Sequence, residues 1–215
     1  SSFTNPLTQV TEFEYNKNGN KTDIIFPNGT QVSYGYNALN RLDSIYYNSE
    51  KKWDLAYDRN GNLTSVTDND TGVTTTYSYD QNNRLTSQEE GATNSIDYSY
   101  DDNGSLTSLT MTADSTTVTN GYDYNQLNQL VGLTRNSSDL EEFAYDEDGN
   151  LIAIVRYNET YTSLEYDDAN RLTAIRNYDA NGDLLDKYEY TYDANGNRTS
   201  VTTTEGTISY QYDDL

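Results

Sequence analysis

The 215-residue chain carries 13 basic against 35 acidic side chains, a net charge of −22, and has neither cysteine nor histidine. That charge disfavours nucleic acid and anionic lipid as partners, and the missing residue types exclude disulfides, thiolate metal sites and Cys- or His-based nucleophilic triads. No signal peptide is recognisable, and no apolar run is long enough to cross a bilayer. Leu, Ile, Val and Phe make up less than a fifth of the residues, which with this charge reads as disorder. The 22 tyrosines reverse that reading, because most recur in one strand register and each brings a large ring to bury.

Residues 1–12 read as a lead-in, strand or coil. From residue 13 to 215 one array runs without interruption. A ten-residue phrase opens at Tyr15, Tyr36, Tyr57, Tyr79, Tyr100, Tyr124, Tyr145, Tyr166 and Tyr192, and again at Tyr212 close to the last residue. Successive openings lie 20 to 26 residues apart, the mark of a repeat architecture. Because the array starts just before one copy and stops inside another, an excised piece of a longer protein is expected.

With the tyrosine as position zero, position one is Asp or Asn throughout. Position four alternates between Gly19, Gly61, Gly104, Gly149, Gly196 and Asn40, Asn83, Asn128, Asn170. Glycine and asparagine share a tolerance of positive φ. An Asx residue followed three places later by such a residue describes a type I turn closed by a left-handed residue, the three-residue hairpin loop with a bulge.

The flanks fit a hairpin. Large apolar residues stand two places before each tyrosine, such as Phe13, Leu55 and Tyr98, on the same strand face. Position zero then faces position six, pairing Tyr57 with Leu63 and Tyr100 with Leu106, while Asp80 pairs with Arg84 and Asp167 with Arg171. Position nine is also apolar in most copies (Ile24, Ile45, Val66), yet six and nine cannot share a face at period two. A second bulge at the small position eight, or packing on both faces, would reconcile them.

Between copies lie further turns, among them Pro27-Asn28-Gly29 and Asn181-Gly182, then Thr-rich strand sequence such as Val73-Thr74-Thr75-Thr76. The expectation is an all-β chain of tandem hairpins, roughly twenty antiparallel strands in a meander.

The phrases Tyr57-Asp58-Arg59-Asn60-Gly61-Asn62-Leu63-Thr64-Ser65-Val66 and Tyr79-Asp80-Gln81-Asn82-Asn83-Arg84-Leu85-Thr86-Ser87 resemble the YD-repeat, or Rhs-type, family, over nearly the whole chain. The family includes bacterial Rhs and wall-associated polymorphic toxins, the B–C components of insecticidal toxin complexes, and teneurins. The resemblance implies a curved or spiral sheet of hairpins, an open segment of a hollow shell that encloses a toxin or contributes to an extracellular scaffold. It also implies secretion or surface display, with the remaining repeats, flanking domains and an encapsulated toxin as partners. Family shells have more repeats and cap domains. The family's proline- and aspartate-containing cleavage motif has no counterpart, since the only prolines are Pro6 and Pro27. Twenty strands at about 4.8 Å span only about 100 Å, too little to enclose a folded domain alone.

Candidate chemistry is sparse. Carboxylate pairs can be drawn anywhere among so many acids, so no catalytic residue is assigned and no enzyme activity is expected. Calcium is the one cofactor worth naming, with Asp146, Asp148, Asp101 and Asn103 as weak ligand candidates, although the EF-hand spacing is missing. A tyrosine-rich face also suits sugar rings, which makes an adhesin or stalk that binds glycans or protein the alternative to a shell wall. Trp53, beside Lys51 and Lys52, suits ordinary packing or a cation–π contact.

Overall fold

The computed structural model describes residues 1–5 and 9–213. Residues 6–8 of the lead-in and 214–215 of the array lie outside the described residues. Those described form twenty strands, antiparallel within each unit, without a helix. They fall into two compact units, one of residues 1–98 with 110–117 and one of 99–109 with 118–215.

In the first unit the order is β1 (Ser2–Thr4), β2 (Val10–Tyr15), β3 (Lys21–Ile25), β4 (Gln31–Tyr36), β5 (Leu42–Tyr47), β6 (Glu50–Tyr57), β7 (Leu63–Asp68), β8 (Thr74–Tyr79), β9 (Leu85–Glu90) and β10 (Asn94–Tyr100). Each pairs antiparallel with the next. The lead-in contributes β1, held on β2 with Ser2 opposite Glu12. Residues of β11 (Leu106–Ala113) and β12 (Thr116–Tyr124) are divided between the units. The second unit continues from β12 through β13 (Leu130–Arg135), β14 (Ser138–Tyr145), β15 (Leu151–Arg156), β16 (Tyr161–Tyr166), β17 (Leu172–Tyr178), β18 (Leu184–Tyr192), β19 (Arg198–Thr203) and β20 (Gly206–Ser209). It too is a meander of sequential hairpins.

The hairpin register settles the conflict between positions six and nine. Tyr57 faces Leu63 and Leu55 faces Val66, with a register shift between Ala56 and Tyr57. The same shift precedes Tyr15, Tyr36, Tyr79, Tyr124, Tyr145, Tyr166 and Tyr192. The extra residue is position seven (Thr64, Thr173), one place before the expected position eight. A bulge lets the strand advance three residues while the side-chain alternation advances two. Positions minus two, zero, six and nine therefore share one face, the tyrosine face.

The opposite face is polar and small. Position minus one meets position eight, as in Gly35 with Ser44 and Ala144 with Ala153. Ion pairs lie there, including Arg176 with Glu165 (2.5 Å) and Glu189 (2.9 Å). A further bulge, between Ile45 and Tyr46, sends Trp53 and Lys51 to opposite faces. Lys51 consequently stacks over Tyr46 at 5.8 Å and pairs with Asp54, so the cation–π contact belongs to Tyr46 and not to Trp53.

A single layer buries little. Among the described residues only Ala174, Val201, Ser44 and Thr162 are buried, and no large side chain is fully enclosed. The chain exposes 14245 Å², against about 10,000 Å² for an ordinary folded protein of its mass.

Candidate interaction surface: the tyrosine face and the loop seam

Each loop is organised by its position-one side chain. Asp80 Oδ1 accepts the N–H groups of Asn82 (2.8 Å) and Arg84 (2.9 Å), and the Asn83 N–H donates to the Asp80 carbonyl (3.1 Å). Asn16, Asn37, Asn125, Asp167 and Asp193 repeat that pair of bonds. Position four is left-handed in all nine copies, with φ between 57° at Asn170 and 96° at Gly61. The carboxylates of Asp80, Asp146, Asp167 and Asp193 titrate low. The backbone N–H of Arg84 does most for Asp80, and the Arg171 side chain does most for Asp167. Side-chain amides of Asn150 and Asn197 do the same for Asp146 and Asp193.

The tyrosines that open the copies, from Tyr15 to Tyr192 and including Tyr100, are each the last residue of an even-numbered strand. Several of their hydroxyls reach back across the meander to the preceding copy. Tyr36 donates to the Lys21 carbonyl (2.8 Å), Tyr79 to Leu63 (2.9 Å), Tyr145 to Leu130 (2.9 Å), Tyr166 to Leu151 (3.0 Å) and Tyr192 to Leu172 (2.6 Å). In every case the acceptor is position six of the copy before. Tyr212, opening the tenth copy, donates to Arg198 in the same way (2.9 Å). Burial pushes the hydroxyls of Tyr36, Tyr79, Tyr124 and Tyr166 above the usual phenol range. Tyr57 departs from the scheme, its ring covered by the Arg41 guanidinium at 4.7 Å.

A second set of contacts joins one loop to the next. From Gly-type loops, side-chain donors reach the position-four amide oxygen of the following Asn-type loop: Asn18 (3.0 Å) and Asn20 (2.5 Å) to Asn40, Asn60 (2.9 Å) and Asn62 (2.8 Å) to Asn83, Ser105 (2.5 Å) to Asn128, and Asn150 (2.9 Å) to Asn170. From Asn-type loops, the longer position-five side chain reaches a backbone carbonyl of the following Gly-type loop: Arg41 to Asp58 (2.9 Å), Gln129 to Gly149 (3.4 Å) and Arg171 to Asp193 (3.2 Å). Arg171 also covers the Tyr192 ring at 4.8 Å, as Arg41 covers Tyr57.

The calcium candidates are not brought together. Asp146 turns both oxygens onto Asn150 of its own loop, and Asp101 accepts the Ser105 N–H at 2.8 Å. Among the described residues no three acidic side chains converge as a metal site, so Asp148 and Asn103 gain no shared centre with them. The hydroxyl bridges and the loop-to-loop contacts are absent from the sequence reading. So is the kinship of the turn at 179–183, where Tyr178 faces Leu184 and Asp179 accepts the N–H groups of Asn181 and Asp183. Tyr178 to Gly182 repeats Tyr192 to Gly196 letter for letter, and that was the available signal.

The family model described as the teneurin YD-shell matches residues 5–69 and 116–215, and that of the RHS repeat matches 57–95. Solved structures share the fold. The crystal structure of TcdB2–TccC3–Cdc42 is 16% identical with a TM-score of 0.70, over 94% of this chain and 12% of that one. The TcdB2–TccC3 crystal structure gives the same identity and TM-score, over 94% and 13%. The Photorhabdus luminescens Tc holotoxin pore carrying TccC3-D651A is 17% identical with a TM-score of 0.68, over 91% and 11%. This chain therefore spans about an eighth of the length of the structures it resembles. No curated protein sequence matches it.

Proposed function

The chain belongs to the YD-shell family, and on that premise we propose that it is a non-catalytic wall segment of a secreted or surface-displayed shell that encloses a toxin domain. Its further partners are the neighbouring repeats and flanking domains of that protein. The observation that carries this reading is the single-layer sheet with a tyrosine face left half exposed and a polar, ion-paired opposite face. A face of that kind needs cover, and a wall obtains it from what it encloses or from a neighbouring turn of the sheet. Nine near-equivalent turns offer no single catalytic constellation, which supports inertness. The family's role as a structural shell repeat points the same way.

The test is protease protection. The segment is expressed with the adjoining coding sequence, and digestion of the downstream domain is followed by mass spectrometry, with the wall intact or with its tyrosine face substituted at Tyr145, Tyr166 and Tyr192. Protection that depends on the intact wall is the expected result. Equal digestion in both forms, together with saturable binding to one sugar class on a glycan array, would overturn the wall and install an adhesin.

A further inference from the structure

We propose that positions four and five form a two-state neighbour code, in which a Gly-type loop is followed stably only by an Asn-type loop and an Asn-type loop only by a Gly-type loop. The surface that one repeat presents to the next carries this code, whatever the shell encloses.

The two kinds of junction use different chemistry. At a Gly-to-Asn junction short side chains donate to an amide oxygen that only the second loop possesses: Asn60 and Asn62 to Asn83, Asn150 to Asn170. A glycine in the second loop would leave those donors without their acceptor. At an Asn-to-Gly junction a longer donor crosses to a backbone carbonyl, as Arg41 does to Asp58 and Gln129 to Gly149. At Gly149 the glycine also leaves room for the donor. A Cβ on Gly149 would stand 3.3 Å from Gln129 Nε2, so that the glutamine must shift, whereas one on Gly61 would make ordinary contact with Arg41 Nη1 at 3.7 Å and one on Gly196 would meet nothing within 4 Å. Two Asn-type loops in succession would direct an arginine or glutamine at a position-four side chain. Two Gly-type loops would present donors to a loop with no amide oxygen at position four.

Both residue types close the turn with a positive φ at position four, asparagine between 57° and 66° and glycine between 81° and 96°. The alternation therefore carries information about the junction, beyond what one loop demands. A polar group left unmatched at a junction forfeits its hydrogen bond. The code thus makes parity a determinant of stability, and repeats are exchangeable in pairs.

This yields an ordering opposite to that of a simple additive array, in which each repeat removed lowers stability further. Deleting residues 145–165 from the full chain joins the loop at Asn128 to that at Asn170, two Asn-type loops. Deleting residues 124–165 joins the loop at Gly104 to that at Asn170, restoring the junction that Ser105 makes to Asn128. Urea midpoints are read by far-UV circular dichroism. The shorter chain, lacking two repeats, is expected to have the higher midpoint. Failure of the one-repeat deletion to fold while the two-repeat deletion folds supports the code equally. A midpoint that falls in step with the number of repeats removed, or folding of the one-repeat deletion alone, overturns it.

Full-length variants decide the matter if neither deletion folds. Asn170→Gly with Arg171→Asn creates three successive Gly-type loops and two mismatched junctions. Adding Gly196→Asn and Asn197→Arg leaves only the first mismatch. The fourfold variant should have the higher midpoint of the two, and a lower one refutes the proposal.

Discussion

Replacing Tyr166 by Phe removes one oxygen and keeps the ring that fills the tyrosine face. The oxygen lost is the donor to the Leu151 carbonyl at 3.0 Å, a contact that joins two consecutive copies. A net hydrogen bond of this kind contributes about 1 kcal/mol, and the half-buried site lets water partly re-pair the carbonyl, which keeps the cost near that figure. For a chain of this length it corresponds to a fall in melting temperature of about 2–4 °C. Tyr57 provides the internal control, because its ring lies under Arg41 while its hydroxyl makes none of these bridges. Tyr57→Phe should stay within about 0.5 kcal/mol of the parent. The bridges of Tyr36, Tyr79, Tyr145, Tyr166 and Tyr192 recur at separate seams, so their losses should add. Five substitutions then remove about 5 kcal/mol, comparable with the whole stability of a small protein. Urea unfolding monitored by circular dichroism measures each variant. Equal effects of Tyr166→Phe and Tyr57→Phe would refute the idea that the hydroxyls, rather than the rings alone, tie the copies together.

Other outcomes follow from the loops. Arg41 Nε is buried without a hydrogen-bond partner, whereas Arg84 Nε donates to Asp80, because position one before Arg41 is Asn37. Asn37→Asp should supply the missing acceptor and stabilise by about 1 kcal/mol, read from the shift in urea midpoint; a loss of stability contradicts the assignment. Gly61→Val and Gly149→Val force a β-branched residue to φ of 96° and 88° and should cost about 1–3 kcal/mol, so an unchanged melting temperature argues against the turn geometry. The carboxylates of Asp80, Asp146, Asp167 and Asp193 titrate below their unfolded values. Their contribution is present above about pH 4 and is lost as the pH falls through the folded values. The raised hydroxyls of Tyr36, Tyr79, Tyr124 and Tyr166 give the opposite limb. Their contribution is complete below about pH 10 and disappears as the pH climbs through the folded values. With no histidine present, melting temperatures should be level between about pH 5 and 8; a transition inside that window contradicts this account.

The left-handed position four and the facing of position zero with position six are legible because each belongs to one hairpin, where residue type and spacing act on the same backbone. Position seven is less legible. Its bulge appears in sequence only as a clash between the spacing of Leu63 and that of Val66, which leaves two structural solutions open. The seam was not legible at all. The hydroxyl of Tyr166 and the carbonyl of Leu151 are fifteen residues apart and meet only when one hairpin lies against the next. The alternation of glycine and asparagine was read correctly as one conformation, yet its second meaning resides in Asn150 reaching Asn170. Among the described residues no shared centre for calcium is assembled, for a related reason. Asp146, followed in sequence by two further acids, turns both its oxygens onto Asn150 within its own turn.

The thinness of the sheet bears on how the molecule responds to temperature. Because the folded chain already shows 14245 Å² to water, unfolding uncovers less apolar area than it does in a globular protein of equal length. The heat capacity of unfolding should consequently fall below the usual ~12–15 cal/mol/K per residue, and denaturant should act with a correspondingly shallow slope. A small heat capacity flattens the stability curve. The seams that hold the hairpins together would then weaken only gradually on warming or cooling, and the array would keep its strength across a wide thermal range without being strong at any one temperature.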